Sequence, residues 1–194
     1  MSRLPRSFYQ RDDVVAIARE LLGKVLITRF DGRTTAGIIC ETEAYAGPHD
    51  RASHAYAGKR TPRNEVMYAK GGTAYVYLCY GLHHLFNVVT NSNGTPHAVL
   101  IRAIHPTVGI ELMLERRGAD ARLSTGGPGT LTQALGIRTS HNGTDLLSDT
   151  IYIEDRSIIV PRKAIITGPR IGVQYAGEDA LLPYRFHFDP RSLA

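Results

Sequence analysis

The runs Lys24–Phe30, Thr35–Tyr45, Thr73–Tyr80, Leu85–Thr90 and Ala98–Ile104 are rich in β-branched and aromatic residues, with tight-turn signals between several of them. Asp31-Gly32 divides the first pair, Tyr80-Gly81 the next, and Ser92-Asn93-Gly94 precedes the last. Strands joined by so few residues pair antiparallel, because a parallel crossover needs far more chain. Ile151–Glu154, Ile158–Val160 and Tyr184–Phe188 add further strand-like stretches. Helical spacing is confined to three places. Residues 14–22 follow a capping Asp12 or Asp13 and end at Gly23, Thr107–Arg117 end at Gly118, and Thr130–Leu135 lie between Pro128 and Gly136. The expected fold is mixed α/β: a single compact domain over residues 1–194, with a curved, mainly antiparallel β-sheet, flanking helices and a protruding β-hairpin.

One stretch resists this pattern. Residues 46–72 contain Gly47-Pro48, Gly58, Pro62 and Gly71-Gly72 and are rich in charge and histidine. Loops of that length in a compact domain are usually functional or disordered. Charge points to a partner: the chain carries a net +5, grouped at Lys59-Arg60-Arg63, Arg116-Arg117-Arg122 and Arg162-Lys163-Arg170, a balance suited to a polyanion. No apolar run reaches the length of a membrane span, and Met1-Ser-Arg-Leu-Pro-Arg has no signal-peptide character. The expectation is a cytoplasmic, nucleoid-associated protein without a membrane partner. Cys40 and Cys79 read as buried small hydrophobes.

Chemistry concentrates around Cys40–His54. Strand alternation puts Glu41, Glu43 and Tyr45 on one face and Cys40, Thr42 and Ala44 on the other. Two carboxylates beside a phenol suit a general base next to an aromatic wall. The residues alone leave open a solvated strand end with a salt-bridged glutamate. Tyr75 and Tyr77 share a face, with Tyr80 at the following turn. They could stack a base and wedge a duplex, or simply be strand tyrosines. Asn87, in an apolar run, needs hydrogen-bond partners if buried, and could be a structural bridge or a probe of a bound base. The eight histidines form no metal motif, since His83 and His84 are adjacent and face opposite ways on a strand. Gly126-Gly127-Pro128-Gly129 lacks a nucleotide-loop ending and reads as a turn into a helix. Neither a metal nor a cofactor is expected.

These segments together resemble the alkyladenine (3-methyladenine) DNA glycosylase family of mammals and many bacteria. The matching motifs are Glu41-Thr42-Glu43-Ala44-Tyr45, Gly47-Pro48, His54, Thr61-Pro62-Arg63-Asn64, Met67 and Gly72-Thr73-x-Tyr75-Val76-Tyr77-x-x-Tyr80-Gly81. Asn87, Val99–Ala103, Gly127-Pro128, Gln133-Ala134-Leu135 and Arg170-Ile171-Gly172-Val173 follow in order, so the likeness runs from about Leu21 to Arg185. It implies that Glu43 is the general base for water and that Arg102 supports that water and a nearby phosphate. Tyr45 and Tyr77 would sandwich a flipped base, with His54 beside them. Asn87 would disfavour guanine, Leu100 and Ile171 would be apolar pocket or support positions, and Tyr80 would enter the minor groove. Arg63, Asn64, His83, Arg117 and Arg170 are the expected DNA contacts. The likeness covers the family's compact core without a long N-terminal extension. The segment from Asn87 to Arg102 is slightly longer than in the mammalian proteins, and His83 replaces an aromatic residue after the wedge.

The implied activity is monofunctional excision of alkylated or deaminated purines from double-stranded DNA by a monomer, leaving an abasic site. No lysine stands in the matched nucleophile position, so water is the expected attacker. Two other readings compete: a non-catalytic binder of distorted DNA, and a nucleosidase. Glu43 weighs against the first, because a carboxylate facing a polyanion is unfavourable without a chemical role. The basic charge and the Tyr80 turn weigh against the second.

Overall fold

The computed structural model describes residues 2–118 and 123–193; Arg122 of the second basic group lies outside them. The alternating runs form strands as expected: β1 (Ser2–Arg3), β2 (Val25–Phe30), β3 (Arg33–Tyr45), β4 (Ala74–Cys79), β5 (His83–Thr90), β6 (His97–Val108), β7 (Ile151–Asp155), β8 (Ile166–Gly168) and β9 (Arg185–His187). They make one sheet in the order β1-β7-β2-β3-β6-β5-β4. β9 adds to the second half of β3 and carries β8 on its other side. Every registered pair is antiparallel. β3 is the spine: its first half lies between β2 and β6, its second between β9 and β6.

The helices are α1 (Arg6–Tyr9), α2 (Val14–Glu20), α3 (Ile110–Arg117) and α4 (Pro128–Leu135). Asp13 caps α2 by accepting the Ala16 amide at 2.8 Å. Pro128 opens α4, and Gly136 closes it in the left-handed region at φ 74°. α2 and α4 lie on one face of the sheet. There Ile17, Leu21, Leu131 and Leu135 bury against Leu26, Cys40, Ala44, Val76, Phe86, Val88, Val99 and Ile101. The 46–72 excursion, folded into short 3₁₀ turns, covers the other face. Ala55 and Met67 pack there on Tyr75, Val89 and Ala98.

Two expectations are corrected. The helix expected from Thr107 begins at Ile110, because Thr107 and Val108 still belong to β6 and Gly109 makes the corner at φ 72°. A Cβ on Gly109 would collide with the Thr34 carbonyl, so a strand-to-helix corner this tight requires glycine. Ile158–Val160 is not a strand: no ladder reaches it, and Ile159 is exposed. The short elements β1, α1 and β8 carry too few residues for a periodic signal.

Candidate active site

Glu43 sits on the sheet face opposite the main core. The alternation of β3 sends Cys40 and Ala44 into that core, where Thr42 Oγ1 donates to the Ala18 carbonyl at 2.8 Å. Glu43 therefore points the other way, into a cross-strand row. It faces Leu100, Leu100 faces Asn87, and Asn87 faces Tyr75. The Glu43 side chain is fully buried. Its Oε2 accepts the Tyr45 hydroxyl at 2.8 Å and its Oε1 the Ile171 main-chain amide at 2.8 Å. Arg102 Nη1 stands 3.4 Å from Oε1. Burial raises the Glu43 pKa above the ordinary carboxylate value, while Arg102, the Ile171 amide and the Tyr45 hydroxyl pull against it. Desolvation prevails, leaving a carboxylate more basic than a surface glutamate but still tied to fixed donors.

Arg102 reaches this carboxylate through a register shift. The β3–β6 pairing slips on both sides of Glu41, so Arg102 falls between the partners of Glu41 and Thr42. A bulge of this kind re-aims a side chain. Glu41 is placed differently. Its Oε1 accepts Arg102 Nε at 3.0 Å and Arg185 Nε at 2.6 Å, so it holds the guanidiniums in place.

Beside Glu43 lies a small cavity lined by Tyr45, Ala52, His54, Met67, Tyr75, Tyr77, Asn87, Ala98 and Tyr175. Its walls are aromatic. His54 meets Tyr77 edge-on at 4.7 Å between centroids, and Tyr75 lies 5.3 Å from Tyr77. His54 Nδ1 and the Tyr75 hydroxyl are 2.9 Å apart. Burial, with Arg63 and Lys59 nearby, pulls the His54 pKa down to about 4, so the ring is neutral at neutral pH. Asn87 is locked by its Nδ2 donating to the Tyr75 carbonyl at 3.1 Å. The result is a small, neutral, electron-rich compartment with a carboxylate at its edge, suited to a flat, electron-poor or cationic ring.

The expected residues divide by position. Tyr45, His54, Tyr77 and Asn87 line the cavity. Glu43 joins it through Tyr45, and Leu100 is buried in the row between Glu43 and Asn87. Ile171 is corrected: its side chain is half exposed and outside the cavity, and its main-chain amide makes the contact with Glu43. Tyr80 is 91% exposed at the tip of the β4–β5 hairpin, with Leu82 exposed beside it. Arg63 is exposed at the rim, 5.3 Å from the Tyr77 ring, and His83 is exposed on the hairpin against Gly129.

Three expected DNA contacts are engaged within the fold. The guanidinium of Arg170 is buried against Asp50, donates to the Ala44 and Asp179 carbonyls, and lies 4.8 Å from the Tyr45 ring. Its charge is neutralised inside the protein, so it is no phosphate contact in this arrangement. Asn64 is also buried: its Oδ1 accepts from Thr61 and its Nδ2 donates to the His54 and Lys59 carbonyls, pinning the loop that carries His54. Arg117 is half-buried and donates to Gln133 Oε1 at 2.6 Å, joining α3 to α4. Tyr175, Asp50 and Arg185 were not anticipated. Tyr175 and Arg185 come from irregular or short segments without periodicity, and the partner of Asp50 lies 120 residues away.

Comparison with known proteins identifies the family of the chain. The family model for methylpurine-DNA glycosylase matches residues 7–191. A protein of Chlamydia felis (strain Fe/C-56) named "Putative 3-methyladenine DNA glycosylase" is 50% identical over 186 residues, covering 94% of this chain and 94% of that protein. A Desulfitobacterium hafniense (strain Y51) protein of the same name is 46% identical over 198 residues, covering 97% and 96%. The chain belongs to the methylpurine-DNA glycosylase family and is thus a DNA N-glycosylase, a hydrolase of DNA repair.

Proposed function

We propose that the chain flips an alkylated or deaminated purine, such as 3-methyladenine or hypoxanthine, out of double-stranded DNA and hydrolyses its N-glycosidic bond with a water activated by Glu43. The observation that carries this reading is the fully buried Glu43, held between the Tyr45 hydroxyl and the Ile171 amide at the edge of the aromatic cavity. A base inside a duplex is out of reach, so it must be extruded at a cost of a few kcal/mol. Tyr80 offsets part of this by filling the vacated stack.

In the cavity, the tyrosine faces attract a ring made cationic by alkylation, and the neutral His54 adds no repulsion. Asn87, locked by its bond to Tyr75, cannot yield to the exocyclic amine of guanine. Glu43 takes a proton from water as the water oxygen bonds to the sugar carbon, with Arg102 steadying the attacking water. The glycosidic bond breaks and its electron pair goes to the purine nitrogen. A cationic base leaves neutral, and an abasic site remains. Every group in this scheme comes from one chain, so a monomer suffices.

The test is single-turnover excision from duplexes carrying hypoxanthine or 3-methyladenine, followed by detection of abasic sites. Glu43→Gln is expected to lose at least 10²-fold in rate, the lower range for a general base, while binding the lesion nearly as well as wild type. Excision within a few-fold of wild type would remove Glu43 from the role and turn attention to Glu41.

A further inference from the structure

The β4–β5 hairpin borders two depressions, one on each face of the sheet. On the pocket face, Tyr77 and Asn87 line the aromatic cavity. The alternate residue His84 turns to the helix face, where a much larger groove runs from Leu82 and His83, along α4, to the β2–β3 turn at Phe30-Asp31. The groove is open to solvent.

Its chemistry is that of an anion site. Arg138 is exposed in its wall, and Arg116 is anchored there by Thr35 Oγ1 and the Ala134 carbonyl, while Arg29 borders the groove but turns its guanidinium to the Tyr152 hydroxyl at 3.3 Å. His84 Nδ1 accepts the Thr139 amide at 3.2 Å, and His141 Nδ1 accepts the Arg138 amide at 2.9 Å. With Nδ1 occupied as an acceptor, each neutral ring carries its proton on Nε2 as a donor. His141 is fixed flat on Phe30, 4.4 Å between centroids at 15°. Asp31 is the one carboxylate among the described lining residues. Donors spread along an open groove fit a row of phosphates better than a single small anion.

We propose that this groove receives the phosphate backbone of the undamaged strand. The inference rests on the glycosylase reading above. A wedge entering the minor groove has one strand on either side of it. Here the wedge is the Tyr80–Leu82 tip. The flipped nucleotide and Arg63 occupy the pocket face, so the complementary strand passes along the helix face, where Leu82 and His83 lead into the groove.

The variant Arg138→Gln removes one charge from the groove and touches neither the cavity nor the tip. Affinity is measured against salt for an etheno-adenine duplex and for the same lesion strand alone. On the duplex, the slope of log affinity against log salt is expected to fall by roughly 0.9, the value for one lost phosphate contact. On the single strand the slope and affinity are expected to match wild type, which also reports an intact fold. Unchanged duplex binding, or an equal loss on both substrates, would overturn the proposal. Failure of wild type itself to bind and excise from the duplex would instead sink the glycosylase reading.

Discussion

Glu43 and Glu41 are two residues apart on one strand face, yet the fold gives them opposite environments. Glu41 is surrounded by guanidiniums, whereas Glu43 is sealed from water with two neutral donors and one arginine at 3.4 Å. This difference has a consequence for stability. The Glu43 pKa is raised in the folded state, so between the ordinary carboxylate value and the raised one the folded chain binds more protons than the unfolded one. Wild type therefore loses stability as pH rises through that window, and Glu43→Gln does not. The difference in melting temperature, variant minus wild type, is expected to grow in favour of the variant across the window and then level off. His54, with its pKa lowered to about 4, titrates in both proteins and cancels in the difference. Thermal unfolding from pH 4 to 8 measures it; a difference that shrinks with rising pH would mean Arg102 outweighs desolvation. The shared face of these carboxylates with Tyr45 was legible from strand alternation. Which glutamate is buried was not, because burial depends on the excursion and on the segment around Ile171 folding over that face.

At the scale of elements, turns and alternation were legible wherever the chain pairs with its sequence neighbour. The β2–β3 and β4–β5 hairpins stand where Asp31-Gly32 and Tyr80-Gly81 indicated. The register slips that aim Arg102 were not legible, because a bulge is set by competition among partners across the sheet. The hairpin tip carries a conflict between local preference and position: Tyr80 sits at φ 52°, a region costing a non-glycine residue about 1–2 kcal/mol. With 91% of the side chain exposed, little packing within the chain offsets that cost. Tyr80→Gly is thus expected to leave stability unchanged or raise it by up to about 1 kcal/mol, after the entropy of the more flexible unfolded chain is set against the relief. Both Tyr80→Gly and Tyr80→Ala are expected to lower the flipped fraction of an etheno-adenine lesion, followed by its fluorescence, in matched duplexes. In a bulge that is already unstacked the loss is expected to shrink. An equal loss in both contexts would move Tyr80 from the wedge to the pocket.

On the scale of the whole molecule, the sheet separates a helix-covered core from a face closed by irregular chain, and a buried ion pair secures that second face. Arg170 links three distant parts of the chain: Asp50 in the excursion, Ala44 at the end of β3, and Asp179 in the 3₁₀ segment after Tyr175. The net charge of +5 points to a polyanion, but composition cannot distinguish an arginine that faces solvent from one, such as Arg170, that is neutralised inside. The pair's geometry predicts a non-additive response. Arg170→Met alone leaves the buried Asp50 carboxylate with only the Ala46 and Ala52 amides to balance its charge, and Asp50→Leu alone leaves the guanidinium with only the Ala44 and Asp179 carbonyls. Each is expected to cost about 3–5 kcal/mol, which at roughly 2–4 °C per kcal/mol for a chain of this size lowers the melting temperature by about 10 °C. The double variant has no orphaned charge. It also removes an Arg170 Nε that is buried without a partner among the described residues. Its loss of stability is expected to fall well short of the sum of the two single losses, giving a coupling energy of several kcal/mol in a double-mutant cycle. Its excision rate is expected to remain low, because apolar side chains cannot hold the Ala44 and Asp179 carbonyls or stack on Tyr45, and the pocket wall is then free to shift. Additive losses in the cycle would show that the two groups act separately. Full recovery of both stability and excision would show that the pair fills space and does not position the pocket.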